Sequence, residues 1–202
     1  MPRNLWSSLA KGAAGFLLGL LFWWSLSTPY ARLLATLSEP LIRISERPSV
    51  TRLIADGTEL TIDRDDFPRS SPRPNLLLMD ITANIILLTT LFAVNRRPVS
   101  DRNALGFLLA SLSLIVVHVA AVVMNVESIY ALRLGPWSAV HYGPVARNFW
   151  GAGAHFYSIA GVFGAAFALW WLFRPSDRSA AVSAAGSAAS RRRPGKTPNI
   201  RS

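Results

Sequence analysis

The chain of 202 residues contains no cysteine. Disulfides, thiolate metal centres and cysteine nucleophiles are therefore excluded, while the redox state of its compartment stays undetermined. Charge is also scarce: Asp, Glu, Lys and Arg make up 16% of the residues against 51% hydrophobic, and the mean hydropathy is +0.31. A soluble domain typically carries about 25% charged residues. There are only three histidines, and just two of them, His118 and His155, fall in apolar stretches, fewer than haem-binding helical bundles usually bury. No Ser-His-Asp or paired-carboxylate arrangement stands out, because nothing marks a nucleophile or an oxyanion donor. The acidic run Asp63-Arg64-Asp65-Asp66-Phe67-Pro68 lacks the glycine and distal glutamate of a calcium-binding EF-hand loop and reads as a solvated charged turn. No internal repeat is evident, which makes an alternating-access transporter a poor fit.

What is present is long apolar text. Leu76–Val94 and Ala104–Met124 are two such runs, joined by a short basic connector, 95–103. Each is about 20 residues, the length at which a helix rising about 1.5 Å per residue crosses a hydrocarbon core of about 30 Å. Gly12–Ser27 reads as a first span. Arg3 and Lys11 ahead of it give it the look of a signal peptide, but Trp23-Trp24-Ser25-Leu26-Ser27-Thr28-Pro29 offers no small-x-small cleavage site. Ala152–Phe173 is the last span, ending in Trp170-Trp171 at the interface. The expected fold class is an all-α membrane protein with four transmembrane helices and a small extracytoplasmic β-hairpin.

The expected organisation is a cytoplasmic N-terminus (1–11), a first span (12–27), an extracytoplasmic segment (28–75), a second span (76–94), a cytoplasmic loop (95–103), a third span (104–124), an extracytoplasmic loop (125–151), a fourth span (152–173) and a disordered basic cytoplasmic tail (174–202). Within 28–75, Thr28-Pro29 either caps a new amphipathic surface helix, with Tyr30, Leu33, Leu34, Leu37, Leu41 and Ile44 as its apolar face, or the first helix runs on past a proline kink. Asp56-Gly57 separates two β-rich runs and predicts a hairpin. Loop 125–151 is polar and aromatic, with His141 an interfacial residue. With the N-terminus inside, the inner segments hold twelve basic and two acidic residues, and the outer ones nine and eight. That asymmetry places both termini in the cytoplasm. It also assigns the formal charge of +10 mainly to orientation and to anionic lipid rather than to nucleic acid.

Polar groups inside spans are costly, about 2.5 to 3.5 kcal/mol for a mid-helix Asp on insertion scales, so each needs a reason. Asp80, His118 and His155 all fall within roughly 6 to 9 Å of the outer membrane edge, and Asn84 shares a helix face with Asp80. They form a candidate polar layer. It is either structural, with Asp80 pairing with a histidine or with Arg147, or functional, as a proton relay or as a haem site ligated by His118 and His155. Helix packing is expected at Gly15 and Gly19, and again at Gly161 and Ala165, where small residues let helices approach.

The text Leu21-Phe22-Trp23-Trp24, then Thr28-Pro29-Tyr30-Ala31-Arg32-Leu33-Leu34-Ala35, a short β-containing outer segment, a helical hairpin and a last span resembles small exosortase-associated membrane proteins of bacteria, of the exosortase H-associated type. The resemblance covers roughly 17–173, mainly as topology. It implies a bacterial inner-membrane protein with an accessory role in sorting or processing C-terminally tagged envelope proteins. Exosortases work through a membrane-embedded cysteine, which this chain lacks, so no catalytic residue carries over. The expected function is a non-enzymatic accessory protein that binds lipid and a membrane protein partner and needs no cofactor. The alternative is a redox or proton-coupled component using His118 and His155.

Overall fold

Prolines, glycines and β-branched runs set the limits of most elements. The computed structural model describes residues 3–46, 49–67, 72–95 and 97–175, so the expected tail from Ser176 onward lies outside the described residues. The elements are α1 (Arg3–Ser45), β1 (Thr51–Asp56), β2 (Glu59–Arg64), β3 (Asn75–Leu77), α2 (Met79–Thr82), α3 (Asn84–Ala93), α4 (Asp101–Leu132), α5 (Pro136–His141), α6 (Pro144–Phe156) and α7 (Val162–Phe173). A π-helical turn, Tyr157–Gly161, joins α6 to α7.

The first span and the surface helix are one helix. α1 continues through Pro29 and Pro40 for 43 residues, about 65 Å, twice the thickness of a hydrocarbon core. A proline mid-helix removes one backbone bond. Here tertiary contacts offset that loss, because the second half of α1 lies on the sheet and on α4. The buried stripe of that half is Ala31, Leu34, Ala35, Ser38 and Ile42. This corrects the expected apolar face: Leu33, Leu37, Leu41 and Ile44 are 41%, 41%, 47% and 80% exposed. The buried face carries Leu34 and Ile42 with the smaller Ala31, Ala35 and Ser38, and the other leucines are left outside.

The hairpin forms in an antiparallel sheet of order β1-β2-β3. Asp56 pairs with Glu59, so the two loop residues are Gly57 and Thr58, one position later than the expected Asp56-Gly57 turn. Gly57 alone takes a positive φ, +59°, the pattern of a turn with glycine first. Leu76 and Leu77, expected to open the second span, instead pair with Leu60 and Glu59 as β3. What remains is an apolar helix over Met79–Ala93, about 22 Å long. It is interrupted at Ala83, where Ile86 N–H turns back to the Ala83 carbonyl. Among the described residues three helices are long and apolar enough to cross a membrane, Leu5–Ser45, Asp101–Leu132 and Pro144–Phe173.

The loop expected over 125–151 is mostly helical. α4 runs eight residues past Met124 to Leu132. Gly135-Pro136 and Gly143-Pro144 each stop one segment and start the next, with proline in the first turn, where its missing N–H costs nothing. Helix packing partly follows the small residues. A Cβ at Gly15 would collide with the Ala93 Cβ, and one at Gly19 would lie 3.0 Å from Ile86 Cα and 3.2 Å from Thr89 Cβ, so this pair seats α1 on α3. Ala165 packs against a second core of Leu88, Phe92, Ala110, Leu114 and Ala166. At Gly161 the nearest neighbour is the ring of Tyr157, one turn back, 2.6 Å from where its Cβ would stand. Gly106 is an unforeseen contact, where any side chain would overlap the Phe173 carbonyl oxygen.

Candidate functional site

The site is built where the end of α1, the sheet and the extension of α4 meet. In β2, Leu60, Ile62 and Arg64 alternate onto the inner face, so the period of two carries an arginine into the core. Arg64 Nη1 donates to Glu46 Oε1 at 2.6 Å, while Nε and Nη2 donate to the two oxygens of Asp66 at 2.8 and 2.9 Å. The Arg64 and Glu46 side chains are 2% and 3% exposed. The guanidinium also lies over Tyr130 and Trp137, 5.0 and 4.9 Å from the ring centroids. Burial pulls the Arg64 pKa down, but the hydrogen bond to Asp66 and the charges of Glu46 and Asp66 outweigh it and hold it above the ordinary arginine value. Asp66 is held below the ordinary carboxylate value by its hydrogen bond to Arg64. The acidic run is thus not simply solvated, since Asp66 closes a buried ion pair.

Glu46 is fully satisfied. Besides Arg64 it accepts from Thr51 N at 3.2 Å and from the Thr51 hydroxyl, which lies 2.7 Å from the Tyr130 hydroxyl. Glu127 is different. It is 1% exposed and accepts from the Ser45 hydroxyl and, at 2.7 Å, from the Tyr142 hydroxyl. Among the described residues no cation pairs with it. Burial, then the hydrogen bond and charge of Glu127, push the Tyr142 phenol above its ordinary value. These groups line a cavity of about 300 Å³ bounded by Ser45, Glu46, Arg64 and Glu127 and by the rings of Trp137, His141, Tyr142 and Trp150. His141 stacks on Trp137 with centroids 4.2 Å apart and is exposed at the rim.

The expected polar layer divides. His118 is fully buried, with Nδ1 2.6 Å from the Tyr30 hydroxyl and Nε2 2.7 Å from Asn84 Oδ1. Tyr30 belongs to α1, so the ring ties α1, α3 and α4 together. The irregular backbone gathers at the same level. Trp23 Nε1 donates to Thr82 just before the break at Ala83, and Tyr157 of the π turn donates to the Ile81 carbonyl at 3.0 Å. Asp80 is exposed and joins neither His118 nor Arg147. The four-residue α2 turns its side chain away from the core. His155 is also exposed, on α6, beside Arg147 and Asn148 in a separate shallow groove. The expected ligand pair His118 and His155 is therefore not formed, and both ring nitrogens of His118 already have protein partners. Among the described residues no group of three or more His, Cys, Asp or Glu is placed to hold a metal ion.

Sequence reasoning missed the charged pocket. Arg64 was legible as the third inward position of the alternation Leu60, Ile62, Arg64. Glu127 lies two helical turns past Val119, on the face carrying Tyr130. Ending the span at Met124 concealed that periodicity. Glu46 carried no local mark, since it caps no helix and acquires its partners only through the fold. The chain matches no family model, no curated protein and no solved structure.

Proposed function

We propose that the chain is an integral inner-membrane accessory protein of the exosortase-associated kind, acting by binding a membrane protein partner rather than by chemistry of its own. The observation that carries the reading is the exposed stripe Leu33, Leu37, Leu41 and Ile44 on α1. With Lys11 marking the inner edge, about 20 residues of span end near Ala31. The stripe then stands above the hydrocarbon core on the outer side, where lipid does not cover it and a contiguous apolar surface calls for a partner. In this reading both termini are cytoplasmic, and Met79–Ala93 is a fourth, short span accommodated by local thinning of the bilayer.

The test is co-purification from native membranes in mild detergent. A tagged chain is expected to retain a membrane enzyme or assembly, and the double substitution Leu37→Glu with Leu41→Glu to release it while the protein itself stays monodisperse. Recovery of the chain alone, together with unaltered envelope protein processing in its absence, would refute the reading. Topology is tested separately with an impermeant thiol reagent. Asp56→Cys is expected to label from outside, and outside labelling of Arg97→Cys would reverse the orientation.

A further inference from the structure

Among the described residues, the cavity beside Glu127 holds an imbalance of charge. The Arg64 guanidinium is committed to Glu46 and Asp66, and among the described residues it forms no ion pair with Glu127. Among the described residues Glu127 receives two neutral hydroxyl donors. A buried carboxylate lacking a counter-charge is expensive, and hydroxyl groups recover only part of the lost hydration. Yet there is room beside it, about 300 Å³, at the small end of ligand sites. The ring of Trp137 is already engaged by Arg64 and His141. Trp150 and Tyr142 remain as aromatic wall. A carboxylate at the base and ring faces at the side describe a receptor for an organic cation. Calcium and magnesium fit poorly, since they take six or more oxygen ligands, and among the described residues no group of three or more His, Cys, Asp or Glu is placed to hold a metal ion.

We propose that this cavity binds a protonated primary amine, with Glu127 as its counter-charge and Trp150 and Tyr142 as its walls. An ammonium group supplies the missing positive charge and three N–H donors. It is also compact enough to enter where a second planar guanidinium would compete with Arg64. Three sources share this chemistry, namely a lysine side chain, the free amino terminus of a peptide and an aminolipid headgroup. The site needs no partner protein, so it is testable apart from the accessory reading.

The experiment is calorimetric titration of the full chain in detergent micelles at pH 7 with N-acetyl-lysine amide, glycine amide and phosphoethanolamine, which represent the three sources, and N-acetyl-norleucine amide as the uncharged control. At least one amine is expected to bind, with the control about tenfold weaker or worse, in keeping with a charge-assisted hydrogen bond. The tightest of the three identifies the source. Glu127→Gln keeps the shape, with one of the two hydroxyls turning to accept from the new amide N–H, and is expected to weaken that amine about tenfold. Trp150→Leu, at the rim and outside the buried hydrogen bonds, is expected to weaken it about threefold. Heat from none of the amines, equal binding of the norleucine control, or unchanged affinity in Glu127→Gln would overturn the proposal. Should Glu127→Gln fail to fold by circular dichroism and gel filtration, unchanged affinity in Trp150→Leu overturns it alone. Loss of amine binding in Glu127→Gln with partner capture intact would separate this site from the accessory function.

Discussion

His118 and Glu127 stand nine residues apart on α4, about 13 Å along its axis, and they meet burial in different ways. Around His118 every group is neutral: a phenol, an imidazole and a carboxamide joined end to end across three helices. Glu127 is a buried carboxyl group held by two hydroxyls, and it shares a cavity with the Arg64–Glu46 ion pair. A neutral chain can be closed by hydrogen bonds alone, which suits apolar surroundings where an ion would cost several kcal/mol. Charges are tolerated beside the sheet, where Arg64 is caged by carboxylates and rings. At the first site both ring nitrogens of His118 have protein partners, although Asn84 Nδ2 has none among the described residues; at the second, no cation among the described residues pairs with Glu127. A buried polar residue thus points to a ligand only when the fold has not already used its hydrogen-bonding capacity, and His118 fails that test where Glu127 meets it.

Mutations can break this comparison. Arg64→Ala should have the largest effect, about 3 to 5 kcal/mol of destabilisation, because it strands Glu46 in the core. Thermal denaturation in mild detergent would show this as a markedly lower midpoint. His118→Leu should cost less, about 1 to 2 kcal/mol, by leaving Tyr30 and Asn84 without their partner. Tyr30→Phe should cost about 1 kcal/mol, within the range of hydrogen bonds between membrane helices. If either equals Arg64→Ala by the same assay, the contrast between a charged and a neutral cluster collapses.

Acid should distinguish the two sites without mutation. Asp66 has its pKa lowered in the folded protein by Arg64, so its contribution is complete above the unfolded value of about 3.9 and is lost as pH falls through the lower folded value. Hydrogen exchange at low pH is therefore expected to rise first in β2 and its following turn, while amides around His118 stay protected. Early exchange around His118 would contradict this. Asp80→Asn should have the smallest effect, within about 0.5 kcal/mol, as for an exposed residue without partners, measured by the same thermal assay. A larger loss would restore Asp80 to the polar layer.

Much of the architecture was legible because helix length and apolar content are local properties. The apolar blocks, the hairpin and the close approach at Gly15 and Gly19 all follow from residue type and spacing. Boundaries were harder, since apolar text suits more than one state. Leu76 and Leu77 satisfy a span or a strand equally well, and Leu60 settles the matter by offering a backbone to pair with. Pro29 suggested a helix start, but the sheet and α4 hold the chain helical on both sides of it. The same limit applied to the site. His118 and Asn84 are marked by polarity inside apolar runs, whereas Glu46 and Arg64 lie in ordinary polar text, and nothing local announces that they meet.

By itself the sequence determined that this is a membrane protein without thiol chemistry, rich in helix, with a small sheet between apolar segments. These conclusions rest on composition and periodicity, which need no knowledge of neighbours. The tertiary structure decided which polar residues are buried together, which face of α1 is covered, and which buried carboxylate has no counter-charge among the described residues. Those are properties of pairs far apart in the chain: Glu46 with Arg64, Ser45 with Glu127, Tyr30 with His118. Only the folded chain brings such pairs within hydrogen-bonding distance, and only there can burial make a missing charge matter.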